Sequence, residues 1–357
     1  MPRRDTIVIA MLVLLLIALS AEAAAASTSR PIVYSKTTWE WVNSGEARTQ
    51  LTKGGIFATK GGKARQLTHT PWDSQPSVSP DGGAIAFIRE GDLYAMEADG
   101  SNQRRLTLGP EIDERPLISP NGRYVLFTRR EKREAPGDLY TIAVAGGSPR
   151  ALTTWPGEDR EAAFSLDGKT VVFVRSLPVV GGGTNDDLYS VRPTGVGMTR
   201  LTRTPQDELR PHCFANGIVF DRRKTAAGGP ASIFTMRRDG TGTMISVARR
   251  ARVGANVVAV SPNGRLLLFN DRDLWAKRLV HAGGGSSRPR LIRQGGGDNL
   301  VFSPDGRRIA GIFMAPGAFF NLSSIDLVTG DSRSEGEVFE PEAPGPVQTS
   351  IGRIIAW

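Results

Sequence analysis

Residues 78–100 read VSPDGGAIAFIREGDLYAMEADG, and residues 118–147, ISPNGRYVLFTRREKREAPGDLYTIAVAGG, restate the pattern in other letters. The opening tetrad returns as Ser79-Pro80-Asp81-Gly82, Ser119-Pro120-Asn121-Gly122, Ser165-Leu166-Asp167-Gly168, Ser261-Pro262-Asn263-Gly264 and Ser303-Pro304-Asp305-Gly306. Serine, then a proline whose ring fixes φ, then Asp or Asn, then glycine is what a type I turn favours at its four places. Each turn leads into a β-branched and aromatic run: AIAFI, YVLFT, TVVFV, LLLFN or RIAGIF. These runs are apolar at adjacent positions, the mark of a strand buried on both faces. A further strand follows, carrying one bulky ring per copy: Tyr94, Tyr140, Tyr189, Phe234 and Trp275. A polar strand ending in Leu-Thr comes next, and one more short segment precedes each tetrad.

Four short strands per unit, at spacings of 40 and 46 residues for the first two steps, are the sequence signature of a β-propeller. The longer gap between Ser165 and Ser261 holds a unit in which CFANGIVFDRRK keeps the turn as Asn216-Gly217. Turns every eight to twelve residues and the absence of a sustained 3.6 period exclude a helical solenoid. Strand-like fragments at the two ends, RPIVYS, GGIFATKGG and KARQLT near the start and PVQTSIGRIIAW at the end, supply a further blade. The expectation is an all-β propeller of four-stranded blades, with seven favoured and six possible, closed by pairing of N- and C-terminal strands so that no edge is left open. One strand is surplus on this count, because PIVYS and GRIIAW both resemble the second strand.

Residues 1–26 read differently. A basic MPRRD, the apolar TIVIAMLVLLLIALS and the small-residue stretch AEAAAA have the form of an export signal. The propeller is then expected over residues 27–357 as a single domain, with no membrane span after cleavage and a periplasmic or secreted location. Cys213 is the only cysteine, so no intramolecular disulfide forms and the core must hold the fold together. The formal charge of +9 would suggest nucleic acid, but export separates the chain from it and leaves envelope components or proteins as partners. A monomer is expected.

The repeat, Asp-x-x-Pro-x-x-Ser-Pro-Asp-Gly followed by Ile-Ala-Phe, Asp-Leu-Tyr-x-Met-x-x-Asp-Gly and Leu-Thr, resembles the WD40-like repeat of the TolB propeller family. The resemblance covers roughly residues 54–330 and implies the fold. It also extends to the propellers of prolyl-oligopeptidase-type enzymes, a tricorn-type protease and oligogalacturonate lyases, so it implies no single activity. The N-terminal α/β domain of TolB is expected to be absent. Neither a G-x-S-x-G elbow nor room for a hydrolase domain is found, which points away from the oligopeptidases.

An acidic residue precedes each innermost strand: Asp73, Asp113 with Glu114, Asp159 with Glu158, Asp207 with Glu208, and Asp298. Symmetry would set these carboxylates around the axis as a negative mouth, suited to a basic peptide or to a cation in the central channel. The plainer reading makes each a loop cap, or the partner of the arginine beside it, Arg115, Arg160 or Arg210. His69 and His212 are channel-facing candidates, and with His281 they lie in separate repeats. His212 and Cys213 are adjacent on a strand and point to opposite faces, so they do not share an ion. No cofactor is expected. The glycine runs at 181, 283 and 295 read as hairpin tips, and the insertions at 130–137 and 177–187 as places for a specificity surface. Binding without catalysis is favoured; a polysaccharide lyase or hydrolase using channel-facing polar groups is the competing reading.

Overall fold

The tetrads fold as hairpin turns. In each of the five, the glycine N–H donates to the serine carbonyl at 2.7–2.8 Å, and Gly82, Gly122, Gly168, Gly264 and Gly306 all take positive φ of 65–77°. The serine side chain makes the turn self-sufficient: Ser119 Oγ donates to Asn121 Oδ1 at 2.7 Å and accepts from the Tyr124 N–H at 3.0 Å. The strands that follow are buried on both faces, as in Ile85, Ala86, Phe87 and Ile88. Leu-Thr closes the outer edge. Its leucine (Leu67, Leu106, Leu152, Leu201) is buried, and the threonine Oγ1 of Thr68, Thr107, Thr153 and Thr202 accepts a backbone N–H of the third strand at 2.9 Å.

The computed structural model describes residues 30–44, 47–215, 217–223, 231–247, 256–271, 273–279, 288–294, 297–315, 319–339 and 347–351. They form seven four-stranded antiparallel sheets, a seven-bladed all-β propeller. Blades one to six lie within residues 74–105, 112–151, 159–200, 207–247, 256–293 and 297–339. First strands of blades one and two, three and four, four and five, and five and six touch one another, which puts the first strands around the axis. The seventh blade joins the two ends of the chain: Val347–Ile351 is its first strand and pairs antiparallel with Ile32–Ser44, its second, followed by Ala47–Lys60 and Lys63–Gln66. The count is seven, and the six-bladed alternative is set aside, because Val347–Ile351 supplies the one missing inner strand. Residues 352–357, the surplus strand of the sequence reading, lie outside the described residues, as do the 1–26 segment, Asn216 and His281.

Seven hydrophobic clusters occur among the described residues, and each straddles two blades. One joins Phe214, Val219 and Ile233 of blade four to Val257, Leu267 and Phe269 of blade five, and another joins Ile32 and Tyr34 of the closing blade to Ala310, Ile312 and Leu322 of blade six. The core is thus a ring of interfaces, and each blade contributes to two of them. Truncation after Pro346 removes the inner strand of the closing blade and exposes an unpaired edge. The shortened chain is expected to melt well below the full one and to aggregate as concentration rises, measured by thermal denaturation and light scattering.

Candidate functional site

Asp73, Asp113 and Asp159 stand at the start of the first strands of blades one to three and are 0–1% exposed. None of them takes as its partner an arginine next to it in sequence. Each is gripped through both oxygens by an arginine sixteen residues on, at the end of the second strand. Arg89 reaches Asp73 at 2.6 and 2.7 Å, Arg129 reaches Asp113 at 2.7 and 2.9 Å, and Arg175 reaches Asp159 at 2.7 and 2.6 Å. The guanidinium lies over a cross-strand ring pair: Arg89 over Phe87 and Tyr94, Arg129 over Phe127 and Tyr140, and Arg175 over Phe173 and Tyr189, at 4.8–5.5 Å from each centroid. The rings themselves are 5.6–5.9 Å apart. Bidentate geometry and stacking are what arginine offers and lysine does not. The Asp73 and Asp113 carboxylates hold the pKa of Arg89 and Arg129 above the ordinary value. Burial pushes the Asp159 carboxyl up, against the pull of Arg175.

In blade four the same position belongs to Glu208, which pairs in register with Arg222; Asp207 is one place earlier and accepts the Asp186 N–H at 3.2 Å. Arg222 lies over Phe220 and Phe234, but the longer glutamate takes its Nε–H on Oε1 alone, at 2.7 Å, beside Thr204. Oε2 is buried without a hydrogen-bond partner, and burial raises the Glu208 pKa. Asp298 pairs with Ile312 across the sheet, one step beyond the equivalent position, which Gly297 holds in blade six and Asn256 in blade five. The acidic positions therefore form an arc over blades one to four, each neutralised by its own arginine. Glu114 pairs with Arg130 at 2.6 Å, and Glu158 of the next blade shares that guanidinium at 2.5–2.7 Å. The neighbouring arginines go elsewhere: Arg160 to Asp186 and Arg210 to Asp221, while Arg115 is exposed.

A β-bulge follows the acidic residue in each of these first strands. Its extra residue is left-handed in blades one to four: Gln75, Arg115, Glu161 and Arg210 have φ of 49–55°. Such φ values are costly for residues with a Cβ, and contacts between blades help hold them. Gln75 Oε1 accepts the Arg115 N–H at 2.6 Å, and Glu161 accepts the Arg210 N–H at 2.6 Å.

His69 is exposed in the loop after the fourth strand of the closing blade, and His212 is half-buried on the first strand of blade four, so the two are not brought together. Cys213 is buried in the interface of blades three and four, where burial pushes its thiol up to about 12 and keeps it protonated. Among the described residues, no group of three or more His, Cys, Asp or Glu side chains is placed to hold a metal ion, and no helix is long and apolar enough to cross a membrane.

In an antiparallel blade the start of the first strand and the end of the second share one edge, so the four acid–arginine pairs define a face. The turn at Gly181–Gly183 and the 131–136 loop rise from it, as does Trp72, 52% exposed. A cleft of about 520 Å³ opens there between blades one and two.

No family model matches the chain. Among curated proteins, 79 residues are 43% identical to an uncharacterized peptidase, YuxL, of Bacillus subtilis (strain 168), over 20% of this chain and 12% of that one. The match spans about an eighth of that relative's length. Solved structures similar in fold include TolB from Acinetobacter baumannii (13% identity, 89% of this chain and 82% of that one, TM-score 0.50). Two others are oligogalacturonate lyase from Vibrio parahaemolyticus (13%, 86% and 86%, 0.57) and the β-propeller domain of the Trilobed protease from Pyrococcus furiosus (10%, 87% and 100%, 0.60). The shared fold is the β-propeller, common to these envelope, lyase and protease structures alike. The Pyrococcus domain is described as having an open velcro topology, whereas here the closing blade is zipped by Val347–Ile351.

Removing one member of a buried ion pair strands the other, at a cost of about 3–5 kcal/mol, whereas replacing both by apolar groups is often neutral. Arg129→Leu is therefore expected to lower stability to urea by that amount, and the double variant Asp113→Leu/Arg129→Leu to recover most of it. Asp221 tests a different balance. It is fully buried, bonded to Arg210 and to the Val257 N–H of blade five at 2.9 Å, and burial outweighs both and raises its pKa from 3.8 to about 6. The folded state thus holds this proton more tightly than the unfolded one, so its contribution is complete below pH 3.8 and is lost as pH rises to about 6. Melting curves across that window should show Asp221→Asn gaining on the parent protein as pH increases.

Proposed function

We propose that the protein is an exported, TolB-like scaffold of the cell envelope that binds a protein or ligand partner on the face where the first strands begin, and that it performs no chemistry there. The observation that carries this reading is the occupation of the acidic groups on that face. Asp73, Asp113 and Asp159 are buried and doubly bonded to arginine, which suits them to rigidifying a surface and not to accepting a substrate proton. Above this floor stand groups with no such internal duty. Trp72 is half exposed and Val180 fully exposed on the 177–187 insertion. Tryptophan on a rigid support is the residue type that most often carries binding energy. The export reading rests on the basic, apolar and small-residue order of residues 1–26.

The test compares the two faces. Trp72→Ala, and Val179→Ser with Val180→Ser, are expected to weaken retention of envelope components on the immobilised protein by about tenfold, a hot-spot-sized effect, with unchanged melting. Arg123→Ala and Leu166→Ser, on the tetrad face, should have no effect. Equal loss from both faces would remove the reading. Turnover of an envelope glycan by the purified protein, abolished by His212→Ala, would replace it with an enzymatic one.

A further inference from the structure

The cleft between blades one and two combines three features. Its first wall, from blade one, includes Trp72, Gln75, Ile88 and Glu90; its second, from blade two, includes Ile112 and Arg133. Most charges in it are already satisfied: Asp113 belongs to Arg129, and Glu114 and Arg130 belong to each other and to Glu158. Glu90 and Arg133 are different. Both are exposed, and among the described residues neither side chain has an ion-pair or hydrogen-bond partner. One wall thus offers an unpaired anion, the other an unpaired cation, and Trp72, Ile88 and Ile112 offer apolar surface.

The backbone adds an independent observation. Arg89 pairs with Asp92, so Glu90 and Gly91 form a two-residue hairpin turn with φ of 53° and 90°. Such a turn calls for Asn or Asp at its first place, because a longer side chain with a Cβ is strained there. A glutamate held in that conformation at the rim of a cleft signals a use for its carboxylate. Arg133 is presented with equal care. Its loop is closed by the Ala135 N–H on the Lys132 carbonyl at 3.0 Å, and pinned by Arg130 on the Ala135 carbonyl at 2.6 Å. Gln75 has its Oε1 committed to the Arg115 N–H, which turns its amide NH₂ into a donor for a ligand carbonyl.

We propose that this cleft binds a short peptide as its zwitterion, with the ammonium at Glu90, the carboxylate at Arg133, a backbone carbonyl on Gln75 and an apolar side chain against Trp72 and Ile112. The volume, about 520 Å³, suits a ligand of that size. A purely anionic ligand, such as an acidic glycan, would meet the unpaired Glu90 with the wrong sign. The proposal rests on the same face as the partner-binding reading and gives that face a ligand class.

The test uses the full chain and three tripeptides, Ala-Leu-Ala, Ala-Phe-Ala and Ala-Lys-Ala, each free, N-acetylated or C-amidated, with digalacturonate as the anionic control, followed by calorimetry. At least one free tripeptide should bind in the millimolar range or tighter, and either capping should weaken it about fivefold, as expected for losing one exposed ion pair. Glu90→Asn should abolish the effect of acetylation alone, and Arg133→Gln that of amidation alone. Glu90→Asn should also raise the melting temperature by relieving the turn, a readout independent of ligand. Capped peptides binding as well as free ones, digalacturonate binding more tightly than every tripeptide, or no tripeptide binding at millimolar concentration would each overturn the proposal. Retention of envelope components that is unchanged by Trp72→Ala would instead count against the broader reading, whereas Trp72-dependent retention that persists while the charge dependence fails would leave that reading standing.

Discussion

A carboxylate buried at the head of an inner strand, an arginine at the tail of the next strand and a pair of aromatic rings beneath it form one unit, repeated in blades one to four. Each component constrains the others. The ring pair fixes the height at which strands two and three meet, the guanidinium can lie flat only over that pair, and its donors then set where the inner strand begins. A one-residue slip would leave a charge buried without its partner, which is far more costly than the net worth of the ion pair. The unit therefore acts chiefly on register. Blades five and six have Asn256 and Gly297 at the acidic position, so the device is confined to a contiguous arc.

The bulge belongs to the same logic. An inner strand that ran straight from the acidic residue to the tetrad would place every later side chain on the wrong face. The left-handed residue restores the alternation, and its side chain or N–H reaches the corresponding residue of the next blade, as Gln75 does with Arg115. Local strain is thereby tied to the packing of neighbouring blades.

The turns, the doubly buried second strands and the rings were legible in the sequence because each depends on residues within a few positions of one another, and the closure because fragments at the two ends repeat the strand pattern of the unit. The acid–arginine unit was not, although its signal is present: Phe87/Arg89, Phe127/Arg129, Phe173/Arg175 and Phe220/Arg222 repeat a Phe-x-Arg pattern. An arginine at the end of an apolar strand looks like a solvated terminus until the hairpin brings it opposite the acidic residue. In blade four the sequence offered both Asp207 and Glu208, and only the strand register shows that Glu208 is the one opposite the arginine. The cleft is less legible still, since Trp72 and Arg133 are sixty residues apart and only the contact of two blades unites them.

The direction of the closing blade has a bearing on how the molecule would be oriented. Its inner strand runs from Val347, on the cleft face, to Ile351 on the tetrad face, and its antiparallel neighbour starts on that same tetrad face at Ile32. Arg30, just ahead, donates to the Pro80 carbonyl within the first tetrad at 2.6 Å. Both ends of the described ring, Arg30 and Ile351, therefore lie on one side. Any attachment made through either end, to a surface or to another chain, would hold the disc like a dish on a stem, its cleft turned outward and its tetrads toward the support.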